Sequence, residues 1–327
     1  MSRRNRRGRP VHGILLLDKP EGGSSNHALQ RAKRLYDARK AGHTGSLDPL
    51  ATGMLPICFG EATKLSAFLL DADKGYETTL RLGVTTNSAD SDGEAVETRP
   101  LPEGLDYQRF EQACMQFLGP LQQVPPMVSA IKIDGQRLYK LARQGIEVDR
   151  PARPVVIQDL KVLDFSGDTA RLSVRCSKGT YIRSLVTDIG EALGCGAHVT
   201  QLRRTYVSPF EQYRMTPIDE LEAASETAPE TSATSDLTHT SNLMARLDAL
   251  LLPLDAGLAH LPRASLSKQD LGAFKRGQAA YCQSVSLEGS DLLSSCRVYD
   301  DSGQMVGMGE LSESCEQVAP RRVLQWD

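Results

Sequence analysis

Gly42-His43-Thr44-Gly45-Ser46-Leu47-Asp48-Pro49-Leu50-Ala51-Thr52-Gly53 packs three glycines and a proline into one short run. Glycine tolerates backbone angles and close approaches that other residues resist. Turn formers at Gly42, Gly45, Pro49 and Gly53 make residues 42–53 largely loop. Asp48 precedes a proline and is therefore driven to extended backbone. A carboxylate held that way can point into a cleft. Spacing alone fits better an aspartate that bonds its own loop, and His43 fits an ordinary polar loop residue.

Outward from this loop, the pattern alternates strands and helices. Gly13–Leu17 reads as a short strand, residues 20–23 as a turn, and the next stretch as a helix capped by Ser24 or Ser25 and running to about Asp37. Residues 76–84 alternate as a strand does. Tyr107–Leu118 has helical amphipathicity. Val155–Phe165 and Thr169–Cys176 read as strands joined at Ser166-Gly167-Asp168, and Thr180–Leu193 as a helix stopped by Gly194. The last part holds short β pieces, Cys296–Tyr299 and Gln304–Met308. The fold class expected is α+β, with a second, smaller, mostly-β unit. In Cys176-Ser177-Lys178-Gly179-Thr180-Tyr181-Ile182-Arg183 a strand end, a glycine turn and a helix start adjoin. Lys178 and Arg183 there can bind phosphate, or grip a carboxylate in a fork; a solvated helix face is the plainer reading.

The chain has 327 residues and a formal net charge of −3. That length suggests two domains, or one large domain with an appendage. Composition excludes a collagen, a coiled coil and a wholly disordered chain. No apolar run approaches a membrane span. Seven scattered cysteines without a C-x-x-C pair fit reduced thiols in a cytoplasmic protein and argue against a structural zinc site. From Asp219 to Asp248 seven acids face one base, so the remaining chain is net positive. Ala223–Asn242 is poor in large apolar residues and reads as a flexible linker. Between Ala130 and Arg183 eleven bases face six acids, with Tyr139 among Lys132, Arg137, Lys140 and Arg143. Bases interleaved with an aromatic suit an RNA surface. Arg3, Arg4, Arg6, Arg7 and Arg9 form a basic arm, either a solvated terminus or a nucleic-acid contact. Phosphate-loop, dinucleotide, hydrolase-elbow and zinc-deaminase signatures are all missing, so no nucleotide cofactor is expected.

Residues 42–53, with Leu55-Pro56-Ile57-Cys58 and Gly60-Glu61-Ala62-Thr63-Lys64, strongly resemble the catalytic motif of bacterial tRNA pseudouridine-55 synthases. Leu16-Leu17-Asp18-Lys19-Pro20 with Ser24-Ser25 looks like that family's N-terminal motif. Ser129-Ala130-Ile131-Lys132 with Gly135, Leu138-Tyr139 and Ala142-Arg143 looks like its RNA-gripping insertion. Cys176–Arg183 and the run from Gly194 through Leu202-Arg203-Arg204 look like its third motif region. Gly307-Met308-Gly309-Glu310 sits where the family carries an RNA-binding domain of the PUA type. Two positions depart from the family: Ser46, where Ala is frequent, and Val128, where an aromatic is usual.

The resemblance implies a pseudouridine synthase fold, a mixed and largely antiparallel sheet with flanking helices and a central cleft. It implies a catalytic domain at 11–222 with the insertion near 124–153 and a PUA-type domain at 253–327; composition adds a basic arm at 1–10 and an acidic linker at 223–252. It implies that uridine in the T-loop of tRNA, at position 55, is isomerised to pseudouridine by a monomer without cofactor, metal or membrane. Asp48 would attack the target nucleoside. Arg183 would pair with Asp48, keep it ionised and lower its pKa. Tyr76 would stack on the everted uracil and help remove its C5 proton. Tyr181 and Leu202 would line the base pocket. His43 would fill the space left in the RNA, Lys19 and Pro20 would brace the site, and Lys132 would bind RNA. Two other functions stay open at this point: an RNA-binding chaperone of tRNA folding, and a uridine isomerase acting on another RNA stem-loop.

Overall fold

The computed structural model describes residues 8–129, 131–133, 135–142, 144–226, 236–287 and 295–326. Its centre is a nine-stranded mixed sheet. The strands run in the order Thr216–Pro217, Gly13–Lys19, Thr52–Phe59, Ala197–Val207, Lys74–Leu82, Thr169–Cys176, Arg153–Ser166 and Gly119–Gln123, with Ala41–His43 also on Thr52–Phe59. Two joins are parallel: Gly13–Lys19 with Thr216–Pro217, and Ala197–Val207 with Thr52–Phe59. The second is short, pairing only Arg203 with Thr52 and Arg204 with Gly53. The loop before Thr52 therefore enters the sheet at its central seam.

The helices form where caps and apolar faces agree. Ser24 caps Ser25–Leu35 by accepting from the His27 N–H at 3.1 Å. Ala28, Leu29 and Ala32 face inward from that helix. Ile182–Ala192 buries Ile182, Leu185, Val186 and Ile189 against the sheet. It starts two residues later than the sequence suggests, because the Thr180 hydroxyl donates to Ser177 O at 2.9 Å and the Tyr181 N–H is taken by the Gln123 side chain at 2.7 Å. Among the described residues no helix is long and apolar enough to cross a membrane.

The acidic segment is more ordered than its composition suggests. Ile218–Ser225 and Asp236–Asp248 are helices, while 227–235 lie outside the described residues. The part of the expected linker region that packs is its end, at Leu247 and Asp248. Leu247 is fully buried, its carbonyl accepts from the Tyr36 hydroxyl at 2.8 Å, and Asp248 is gripped by Arg9 at 2.6 and 2.7 Å. A packed leucine and a two-point ion pair outweigh low average hydrophobicity. The same contact fixes Arg9, so this member of the basic arm is a structural clamp; residues 1–7 lie outside the described residues.

Arg263–Leu266, Ala280–Ser286, Ser295–Tyr299, Met305–Leu311 and Gln317–Val323 close into a five-stranded barrel. Its Tyr299, Met305 and Met308 share a hydrophobic cluster with Ile14, Leu16, Met54 and Cys58 of the central sheet. The barrel is therefore cemented to the sheet rather than tethered beside it.

Gly53 sits at the seam with φ +99°, and a Cβ there would lie 2.1 Å from Arg204 O. Gly53→Ala is expected to destabilise the fold by at least about 2 kcal/mol, combining a disfavoured backbone angle with a backbone clash. The urea midpoint of the purified variant measures this.

Candidate active site

Asp48 hangs from the loop between Ala41–His43 and Thr52–Phe59. Side chains from outside hold the loop in shape. Ser25 Oγ donates to Leu47 O at 3.0 Å and accepts from Leu47 N at 2.7 Å. The Lys19 ammonium, 1% exposed, donates to the carbonyls of Pro20, Pro49 and Ala51 at 2.8, 3.2 and 2.7 Å. Burial pulls the Lys19 pKa down to about 8, against the attraction of Asp48. Arg204 reaches the same loop, donating to Gly45 O at 3.1 Å.

The loop faces a cleft of about 320 Å³ lined by Asp48, Tyr76, Tyr181, Leu202 and Arg183, with Lys74 and Arg204 on its wall. That is the lower end of the range for small-molecule pockets, suited to one nucleotide (about 300 Å³) rather than a helix. Arg183 is 2% exposed, and its Nε lies 3.0 Å from Asp48 Oδ2. The Nε–H is not aimed well enough to form a hydrogen bond, so the contact is an ion pair. The rest of the guanidinium is fixed from behind. Nη1 donates to Ser88 O at 2.8 Å and lies 3.4 Å from Asp90 Oδ2, and Nη2 donates to Val128 O at 2.6 Å. Asp90 is itself buried.

Burial pushes the Asp48 carboxyl above the ordinary aspartate range; Arg183 and Lys19 pull it down, and Asp90 pushes it further up. Arg183 lowers the Asp48 pKa as expected, but desolvation exceeds that pull. The side chain keeps 37% of its surface open to the cleft, so water at the mouth limits the rise. Asp90→Asn removes a neighbouring negative charge. The acid limb of kcat/KM is expected to move to lower pH in that variant, since Asp48 then ionises more readily. A pH–rate profile of both proteins checks the sign.

The matches with known proteins agree with this geometry. Residues 33–182 match the model of the TruB family pseudouridylate synthase N-terminal domain, and residues 183–259 match the tRNA pseudouridylate synthase B C-terminal domain. The chain belongs to the TruB family of pseudouridylate synthases. It is 48% identical to the tRNA pseudouridine synthase B of Aeromonas salmonicida (strain A449) over 100% of this chain and 98% of that one. It is 49% identical to the tRNA pseudouridine synthase B of Pseudomonas putida (strain GB-1), over 97% of each. In fold it resembles a chain in the crystal structure of the archaeal box H/ACA sRNP Nop10-Cbf5 complex, with TM-score 0.69 and 21% identity over 99% of this chain and 93% of that one.

The residues singled out from sequence fall into four groups. Asp48, Tyr76, Tyr181, Arg183 and Leu202 converge on one cleft. Lys19 lies beneath the loop, while Pro20 and Lys19 line a separate cavity with His27 and Arg31. His43 ends the strand Ala41–His43, off the cleft lining. Its Nδ1 is buried without a hydrogen-bond partner, and burial with nearby Arg204 lowers its pKa, leaving a neutral ring. The backbone of Lys132 lies on a hairpin with Gln136–Arg137, but the Lys132 side chain, Ala130 and Arg143 lie outside the described residues.

Sequence reasoning missed Asp90, Lys74 and Arg204. Ser88-Ala89-Asp90-Ser91-Asp92-Gly93 looks like any polar turn, so Asp90 carried no signal. Arg204 did carry one: residues two apart on a strand share a face, so placing Leu202 in the cleft also places Arg204 there.

Proposed function

We propose that this chain converts uridine to pseudouridine at position 55, in the T-loop of tRNA, with Asp48 as the group that attacks the nucleoside. The observation that carries this reading is the Asp48–Arg183 pair, one partner open to a nucleotide-sized cleft and the other buried and locked. The reaction breaks N1–C1′, turns the base and joins C5 to C1′. It needs no redox change and no external energy. A carboxylate nucleophile divides the difficult step into two. The target base must leave its stack to reach the cleft, at a cost of a few kcal/mol. Stacking on Tyr76 offsets about 1–3 kcal/mol of that. Leu202 and Tyr181 supply apolar surface around the ring and exclude water that would trap an intermediate.

The insertion at 124–153 grips the RNA beside the cleft, and its Val128 carbonyl is already bonded to Arg183. The barrel acts as a PUA-type RNA-binding domain, held at a fixed orientation by the core it shares with the sheet. The protein works as a cytoplasmic monomer. Mapping pseudouridine in a tRNA transcript and in unrelated stem-loops tests the assignment. Modification confined to position 55 is expected; equal modification of the other stem-loops would overturn the stated substrate, and binding without product would favour an RNA-folding role.

A further inference from the structure

Ion pairing in the cleft is uneven. Arg183 is shared between Asp48 and Asp90. On the other wall stand Lys74 and Arg204, and among the described residues no carboxylate lies within 4 Å of either. Arg204 is 1% exposed and donates to carbonyls, from Nε to Met54 O at 2.7 Å and from Nη2 to Gly45 O. The Lys74 ammonium donates to Ala72 O. Both cations crowd one point of the catalytic loop: a Cβ on Gly45 would lie 3.5 Å from Arg204 Nη1 and 3.8 Å from Lys74 Cε. Asp71 and Asp73 attract Lys74 from a distance but make their own direct contacts with other residues. Asp71 pairs with Lys178 at 2.9 Å, and Asp73 accepts from Gln158 at 2.7 Å. Arg204 also faces the Tyr76 phenol across the strand pair, and Cys176 lies near Lys74. Burying positive charge without a counter-charge is costly. Such an arrangement is useful where a negative charge develops during reaction, since a fixed cation in a dry site needs no reorganisation to meet it.

We propose that Lys74 and Arg204 stabilise the negative charge that uracil acquires when it detaches from the sugar. This deepens the isomerase reading above and rests on it. When N1–C1′ breaks, its electron pair stays with the base and spreads over N1, O2 and O4. C5 then bonds C1′, freeing the Asp48 carboxylate or quenching the sugar cation; the C5 proton leaves to water and N1 takes a proton from water, so the ring regains its double bond without net charge. The demand for a cation is the same whichever atom Asp48 attacks. Lys74, the less buried of the two, is the better test position; Arg204 is set too deep in the seam for a clean exchange.

The test is single-turnover conversion of a T-stem-loop RNA by the full-length Lys74→Met and Lys74→Arg proteins, with uridine or 5-fluorouridine at the target. Fluorine makes the detached base a weaker base and a better leaving group. Lys74→Met is expected to slow uridine turnover about 100-fold, the scale of losing one charge-stabilising donor. Its RNA dissociation constant should stay within about threefold, because binding is carried mainly by phosphate contacts. Its deficit should shrink to less than about tenfold when consumption of 5-fluorouridine is followed, because less charge then needs stabilising. Lys74→Arg, which keeps the charge, should recover most of the rate. Equal deficits on the two bases, or uridine turnover by Lys74→Met within twofold (roughly, 0.4 kcal/mol) of the unaltered protein, would overturn the proposal. If Lys74→Met does not fold, Lys74→Gln against Lys74→Arg makes the same comparison. Failure of the isomerase reading is distinct: the unaltered protein itself would then form no pseudouridine.

Discussion

Asp48→Asn is expected to reduce pseudouridine formation by at least about 1,000-fold, a loss on the scale of removing an enzyme's nucleophile. The amide is nearly the same size and keeps one carbonyl oxygen, so the loop held by Ser25, Lys19 and Arg204 should survive. What disappears is the negative charge and with it the ability to form the covalent or ion-pair intermediate. RNA affinity should change by less than about tenfold, because one carboxylate contributes little to a phosphate-driven interface. Single-turnover assays with excess protein, beside filter-binding titrations of the same preparation, separate the two effects. A variant that still converts RNA at an appreciable rate would remove Asp48 from the chemistry. The loss of its charge leaves Arg183 facing only Asp90, but burial disfavours the Asp48 charge overall, so thermal stability should hold or rise slightly as activity is lost.

The second large effect concerns Arg183. Its planar head reaches Asp48, Asp90, Ser88 O and Val128 O at once. An ammonium on a shorter reach cannot span those positions. Arg183→Lys is therefore expected to lower kcat by about 100-fold or more while changing RNA affinity by less than about threefold, a loss confined to orientation of the nucleophile. Because Arg183 pulls the Asp48 carboxyl down against burial, weakening the pair should also carry the acid limb of the rate profile to higher pH. Equal rates for the two proteins across the profile would show that Asp48 is oriented by other means.

Much of this was legible from residues alone where local rules act alone. Ser24 announces its helix because a hydroxyl just before an apolar-periodic run satisfies an otherwise unpaired N–H. The alternation of Thr169–Cys176 shows a half-buried strand. Local rules fail at the seam. Thr52–Phe59 is nearly all buried, yet it contains Gly53 and Pro56, residues that usually mark turns or edges. Pro56 lacks an N–H to donate, though its carbonyl still accepts from Thr44 N at 3.0 Å. The catalytic role proposed for Asp48 came from the resemblance of its loop to a known family, since an extended aspartate before proline is common in turns. Asp90 meets Arg183, and Lys74 meets Gly45, only across long stretches of sequence, which spacing cannot reveal.

The most direct measurement is nucleoside analysis of a tRNA transcript incubated with the purified full-length protein, with no cofactor added. Near-complete conversion of one T-loop uridine to pseudouridine, lost in Asp48→Asn, is the expected result. Recovery of unmodified uridine from RNA that the protein demonstrably binds would contradict the assignment of the Asp48–Arg183 cleft as a site of uridine isomerisation.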